Sequence, residues 1–434
     1  MIIRSYRWNS TSDEERRRLL ARAQLDIETL LPAVQRIMET VRTEGDRALR
    51  RFTAEFDTVD LNDRPIAVPD SEFDDAELSL SAEIKASLDY AIDNVRRFHE
   101  TQVEGETEPI EVRPGILVTE RATPIDRVGL YVPSGRGSFP SMMYMLAIPA
   151  VLAGVPHLAV CTPPRPDGTV DPAVLYAARR CGVGRVYRVG GAQAIAALAY
   201  GTESVEPVHK VVGPGSAYVA AAKRVVAEIV DTGLPAGPSE SIVLADATAD
   251  PHRVTLDLMI EAEHGSDSSA LCVTESPNLA DTVTELLQRY IDSVPEPRRQ
   301  FLIDVFSGYG GIIVTDSAEE ANEVVNRFAP EHLLIHGSDP RIRAQSIVNA
   351  GEILLGPHTA FSLANYAAGA NAVLPTGGWA RSWNPVSVRD FVKRAAIVEI
   401  TEEGLPEIRD HVIRLADYEG FYTHAAALRE RDRS

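Results

Sequence analysis

Three cysteines in 434 residues (Cys161, Cys181 and Cys272), none in C-x-x-C spacing, exclude a disulfide framework and a finger-type thiolate zinc site, and suit a reducing compartment. Lysine is nearly as scarce: Lys85, Lys210, Lys223 and Lys393 are the four among 43 cationic side chains. Formal net charge is −20, so the basic face that nucleic acid or an anionic membrane surface requires is missing. No G-x-G-x-x-G stands between a strand and a helix. In GRGSFP (135–140) the first spacing is kept, but Pro140 takes the place of the third glycine. The opening segment, MIIRSYRWNSTSDEERRR, has no apolar run of signal-peptide length, and a cytoplasmic location is expected. One hydrophobic stretch, residues 142–161, approaches membrane length. Pro149, Pro156 and His157 interrupt it, so it reads as a buried helix ending near Pro149 and a buried strand His157–Cys161, with no membrane span.

What is present is ordinary soluble material, 44% hydrophobic and 24% charged, with length for two or three domains. Residues 12–56 and 80–100 carry helical periodicity, as in Ile27, Leu30, Leu31, Val34, Ile37, Met38 and Val41. The centre alternates apolar strands with helices: Val128–Val132, a helix from Ser141, His157–Cys161, a helix from Pro172, Arg185–Val189, a helix from Ala192, Lys210–Val212 and a helix from Ala217. Unalternated apolar strands with helical crossovers predict a parallel sheet covered on both faces, with ligands at the strands' carboxyl ends. A second α/β stretch runs from Ser241 to Leu374, with strands at 242–244, 269–274, 311–314, 333–335 and 353–355 and helices near 251–263, 278–292, 317–327 and 340–349. Residues 377–434 read as a polar tail with two helices.

Three clusters of acids with histidine could carry chemistry, one of them DYEGFYTH (417–424) near the C-terminus. Glu261 and His264, in EAEHGSD, are spaced i, i+3 at a helix end and can reach one ion from one face. With His424 and a further oxygen donor they would form a zinc-like N/O site. In APEHL, Glu331 and His332 pair a carboxylate with the usual general base near neutral pH, or form a strand-edge pair with no catalytic part. The loops VPSGRGS, TPPRPDG, VGGAQ and VGPGS can offer N–H donors to an anion, or serve only as tight turns.

Nine segments in order resemble the histidinol dehydrogenase family: RVGLYVPSG (127–135), PSMMYMLAIPA (140–150), VGGAQAIAALAYGT (189–202), KVVGPGSAYVAAAKR (210–224), LPAGPSE (234–240), EAEHGSDS (261–268), APEHL (329–333), NYAAGANAVLPT (365–376) and EGFYTH (419–424). The resemblance spans nearly the whole chain. It implies an α/β homodimer with two Rossmann-like domains, parallel sheets, a helical N-terminal arm and a C-terminal tail that crosses to the partner. The division it suggests is 1–130 with 240–376, a nested 131–239, and the dimerisation tail 377–434. It further implies NAD, zinc and oxidation of a small primary alcohol in two hydride steps, through an aldehyde, to a carboxylate. The family's metal ligands fall on Glu261, His264, Asn365 and His424, and its acid/base pair on Glu331 and His332. Its nucleotide contacts fall on Tyr131, Gln193 and Ser216, and its substrate contacts include Ser239, His332 and Glu419.

The departures carry information too. Relative to the family, Glu261 replaces Gln, Asn365 replaces Asp, Ser216 replaces Asn and Ala372 replaces His. The first two changes conserve ligand charge, so a divalent ion is still expected. Ala372 removes a polar ring from the substrate pocket. Arg136 and Arg381 are candidate contacts for an anionic substrate. VPSGRGSFPSMMYMLA, NAVLPTGGWAR and ADYEGF resemble the family's sulfopropanediol dehydrogenase branch. The expected reaction is therefore 2,3-dihydroxypropane-1-sulfonate to 3-sulfolactate. L-Histidinol to L-histidine is the alternative, and a metal- or NAD-binding protein without turnover a third reading.

Overall fold

The computed structural model describes residues 3–20, 22, 27–61, 64–134 and 137–433. In chain order its strands are β1 (Ser5–Arg7), β2 (Ile110–Arg113), β3 (Ile116–Pro124), β4 (Arg127–Tyr131), β5 (His157–Thr162), β6 (Val186–Arg188) and β7 (Lys210–Val212). They continue with β8 (Glu240–Ala245), β9 (Ser269–Thr274), β10 (Gly311–Val314), β11 (His332–His336), β12 (Glu352–Leu355) and β13 (Val392–Ile400). The chain divides into two compact units, Met1–Gln102 with Ile125–Phe391, and Val103–Pro124 with Val392–Ser434.

The first unit holds two parallel sheets. One has the order β1-β10-β9-β8-β11-β12, the other β6-β5-β4-β7. Their strands are apolar on both sides because helices cover both faces. Val243 and Ala245 of β8 join a core with Leu258, Leu287 and Phe361, while Ile242 and Leu244 join another with Trp8, Val325 and Phe328. In the smaller sheet Val128 and Leu130 pack with Tyr144 and Leu175, and Tyr131 packs with Ile195 and Val219. Strand β4 lies wholly in this sheet, although the expected domain boundary cut it at 130/131.

Three local expectations need correction. The helix Pro140–Leu152 runs through Pro149 and does not end there. Proline at 149 leaves the Met145 carbonyl without its helical donor, and the Asn371 side-chain amide supplies one at 2.7 Å. The helix expected over 340–349 stops at Ala344, because Asn326 Oδ1 captures the N–H groups of Val348 (2.8 Å) and Asn349 (3.2 Å). The N-terminal arm is not all helix: Ser5–Arg7 adds an edge strand beside Ile312–Val314. Helices Asp70–Ser79 and Arg298–Ser307 were not expected either.

The second unit is an antiparallel sheet, β13-β3-β2, with helices Leu405–Glu419 and Tyr422–Arg429. Val392 to Ile400 pairs with Pro124 to Ile116 throughout. Gly420, at φ +80°, makes the left-handed turn between the two helices that a side chain would resist.

Candidate active site

The first unit contains a cavity of about 440 Å³. Pro133 and Ser134 after β4 and Pro214–Ala217 after β7 contribute to its lining. Ser239 before β8, Ser268 before β9 and Glu331-His332 at β11 supply others. The C-terminal end of helix Pro251–Ala262 brings Glu261, Glu263 and His264. Asn365 and Tyr366 come from the short helix Phe361–Tyr366, and Ala372–Leu374 from the loop after it.

The polar centre is a chain of contacts around Glu261, which is 1% exposed. Its Oε1 accepts from the Asn365 amide at 2.6 Å, and its Oε2 lies 3.0 Å from His264 Nδ1 and 3.9 Å from His332 Nε2. Burial opposes the Glu261 charge, but His332, His264 and the Asn365 amide outweigh it and hold the carboxyl at about 2. Burial likewise opposes charge on His264, and Glu261 reverses the effect and raises it.

Glu331 and His332 stand beside this group. Glu331 Oε1 is 3.7 Å from His332 Nε2, and its Oε2 accepts the Glu240 N–H at 2.9 Å. Burial, reinforced by the neighbouring Glu261 charge, pushes the Glu331 carboxyl up to about 8. For His332 burial works against the charge, yet Glu261, Glu331 and Glu352 together raise it to about 10. Glu240 is buried behind Glu331: its Oε1 accepts the Gly377 N–H at 2.8 Å and lies 3.0 Å from Arg22 Nε. Burial raises its carboxyl to about 7.

Glu261, His264 and Asn365, three of the four expected ligands, thus meet in one place. A carboxylate kept anionic in a buried pocket, an imidazole and an amide form an N/O donor set that suits zinc. One of the three is an amide, and among the described residues no group of three His, Cys, Asp or Glu could hold a metal ion by itself. His424 and Glu419 belong to the second unit, on the helices Tyr422–Arg429 and Leu405–Glu419, with exposed side chains.

The expected nucleotide residues are split. Ser216 immediately precedes the helix Ala217–Val226, with no capping hydrogen bond from its side chain, and lines the cavity. Tyr131 and Gln193 are buried outside the lining: the Tyr131 hydroxyl accepts the Gly191 N–H at 3.0 Å, so it holds the VGG turn. Ser239 lines the cavity. Arg381 does not; its guanidinium donates to the carbonyls of Gly378 and Arg327. Arg136 lies outside the described residues. The sequence reading missed Arg298, which lines the cavity and donates to the Glu263 carbonyl at 2.8 Å. It also missed Glu240 and Glu352. Nothing local marks these three, since each reaches the site through tertiary pairing.

The histidinol dehydrogenase family model matches residues 20–432. A histidinol dehydrogenase homolog of Rhizobium meliloti is 49% identical over 98% of this chain and 93% of its own length. The histidinol dehydrogenase of Synechocystis is 46% identical over 99% of both chains. The crystal structure of histidinol dehydrogenase from Elizabethkingia anophelis superposes with a TM-score of 0.94 at 33% identity, covering 99% of this chain and 98% of the other.

Proposed function

Because the chain belongs to the histidinol dehydrogenase family, a family of NAD-dependent dehydrogenases, we propose that it oxidises 2,3-dihydroxypropane-1-sulfonate to 3-sulfolactate with zinc and NAD. The reaction removes four electrons from a primary alcohol through an aldehyde that stays bound. The observation that carries the substrate choice is Ala372. It lines the cavity with Val373 and Leu374 as an aliphatic wall, at the position where the family resemblance implies a histidine. Arg298 lines the same cavity, and a guanidinium suits a sulfonate.

The zinc ligands in this reading are Glu261, His264, Asn365 and His424, with NAD held near Tyr131, Gln193 and Ser216. Zinc supplies Lewis acidity toward the substrate hydroxyl, and NAD supplies the hydride acceptor. The protein's own groups do the rest. His332 takes the hydroxyl proton at Nε2, the nitrogen that faces Glu261 and Glu331. Glu261 is the strongest attraction that holds the His332 proton, and a cation held by Glu261 would draw on that charge and favour the neutral ring. Glu331, once ionised, withdraws a proton from the water that adds to the aldehyde. The site's burial keeps the aldehyde from bulk water between the two oxidations. Ser239 and Glu419 are assigned to substrate, and Arg136 to its anionic group; Arg381 is engaged with backbone carbonyls outside the cavity lining and is not assigned.

A second reading, oxidation of L-histidinol to L-histidine, is favoured by the Synechocystis relative, which bears that activity's name across 99% of both chains. We also propose a homodimer, supported by the exposed aromatic side chains of the second unit: Tyr418 is 92% and Tyr422 75% exposed. NADH formation by the zinc-loaded protein, with L-histidinol and each enantiomer of the sulfonate diol side by side, decides between substrates. Turnover of a sulfonate enantiomer with histidinol inert is expected. Turnover of histidinol alone would overturn the substrate choice and leave the reaction class standing.

A further inference from the structure

His332 is held on its far nitrogen by a residue that has no part in the reaction as described above. Glu352 opens β12 as His332 opens β11, and the two are direct register partners. The strands close tightly at this point. The Gly351 N–H reaches the Pro330 carbonyl at 2.9 Å and the Glu352 N–H the Glu331 carbonyl at 3.0 Å. A Cβ on Gly351 would stand 2.5 Å from the Glu331 carbonyl oxygen, so a glycine is needed for this approach. Side chains at matching register point to the same face of a sheet. The Glu352 carboxylate therefore lands beside the imidazole, with Oε1 2.5 Å from His332 Nδ1.

Both residues are buried, His332 at 3% and Glu352 at 9% exposure, and Phe361 meets the ring edge-on at 5.8 Å between centroids. The other carboxylate oxygen, Oε2, is buried without a hydrogen-bond partner among the described residues. A buried carboxylate with an unsatisfied oxygen is costly to fold around. A carboxylate kept for packing alone would be replaced at gain by an apolar side chain of similar size.

We propose that Glu352 is a positioning residue for the reaction: it accepts the Nδ1–H of His332, fixes that tautomer, and leaves Nε2, on the side of Glu261 and Glu331, as the nitrogen that accepts the substrate hydroxyl proton. A carboxylate on the remote nitrogen does this for other catalytic and metal-bound histidines, where its loss leaves the ring present but wrongly presented. The inference rests on the reading of His332 as the base.

The test is a double-mutant cycle in the zinc-loaded enzyme with whichever of the two alcohols it oxidises. Glu352→Gln keeps the volume and removes the charge. Its kcat is expected to fall about 10–100-fold with KM nearly unchanged. In a His332→Asn background the same change has no further effect, because the two residues act as a unit. An equal loss in both backgrounds, or wild-type kcat in Glu352→Gln, overturns the proposal. Wild-type kcat in His332→Asn itself would instead overturn the base assignment on which it rests. A readout free of turnover is the NMR spectrum of the protein labelled with 15N-histidine. A hydrogen-bonded Nδ1–H resonance, assigned to His332 by its absence from His332→Asn, is expected in the wild type and should shift or vanish in Glu352→Ala and Glu352→Gln. Its absence from the wild type, or its persistence unchanged in both variants, overturns the proposal, and this result needs no substrate.

Discussion

The two parallel sheets of the first unit offer opposite ends to one cavity. From the four-stranded sheet the lining residues follow the strands, Pro133 and Ser134 after β4 and Pro214–Ser216 after β7. From the six-stranded sheet they precede or begin the strands, Ser239 before β8, Ser268 before β9, and Glu331 with His332 at β11. The first group meets the N-terminal ends of helices Pro140–Leu152 and Ala217–Val226, where partial positive charge and N–H donors suit an anion. The second meets the C-terminal end of helix Pro251–Ala262, where partial negative charge joins Glu261 to suit a cation. One half is built from backbone and the other from side chains, so the two should fail in different ways.

The largest break should come from the side-chain half. His332→Asn should lower kcat about 10²–10⁴-fold while KM and the melting temperature stay close to wild type. Glu261→Gln leaves Asn365 with no charged ligand beside it, and zinc affinity measured by equilibrium dialysis should drop about 10–100-fold. Adding Asn365→Asp should restore much of that loss, because the pair then carries its charge on the other member. The backbone half should respond differently. Gly213 has φ +132°, and a Cβ there would stand 2.1 Å from the Tyr131 carbonyl oxygen. Gly213→Ala should therefore raise the KM for NAD by about tenfold and leave zinc content untouched. The smallest effect is a pH dependence. The Glu331 carboxyl, pushed up to about 8, is protonated below that pH and competent to activate water above it. The turnover number should rise with pH as Glu331 ionises, and the rise should be absent in Glu331→Gln.

Much of this was legible in the residues alone. The strands Ser269–Thr274, Gly311–Val314 and Lys210–Val212 have the ends that the sequence indicates, because a strand buried on both faces reads as a short, predominantly apolar run with polar residues only at its ends. Glu261, His264 and Asn365 lie together, and Glu331 lies beside His332, although the motifs that hold them are far apart in sequence. What was not legible depends on register or on distant rescue. Glu352 and Glu240 reach the site only because β12 and β8 flank β11 in a particular register. Pro149 stays inside its helix because Asn371, 222 positions on, offers a donor to the carbonyl it orphans. Strand β13 exposes most of both faces, so VKRAAIVEI has no alternation to betray it.

The most direct measurement is the stoichiometry of NADH formed per alcohol consumed to completion by the zinc-loaded enzyme. Two NADH per alcohol, with the carboxylate as product and no free aldehyde trapped, is the result expected of a site that keeps its intermediate beside Glu331 and His332. One NADH per alcohol with the aldehyde released would contradict it.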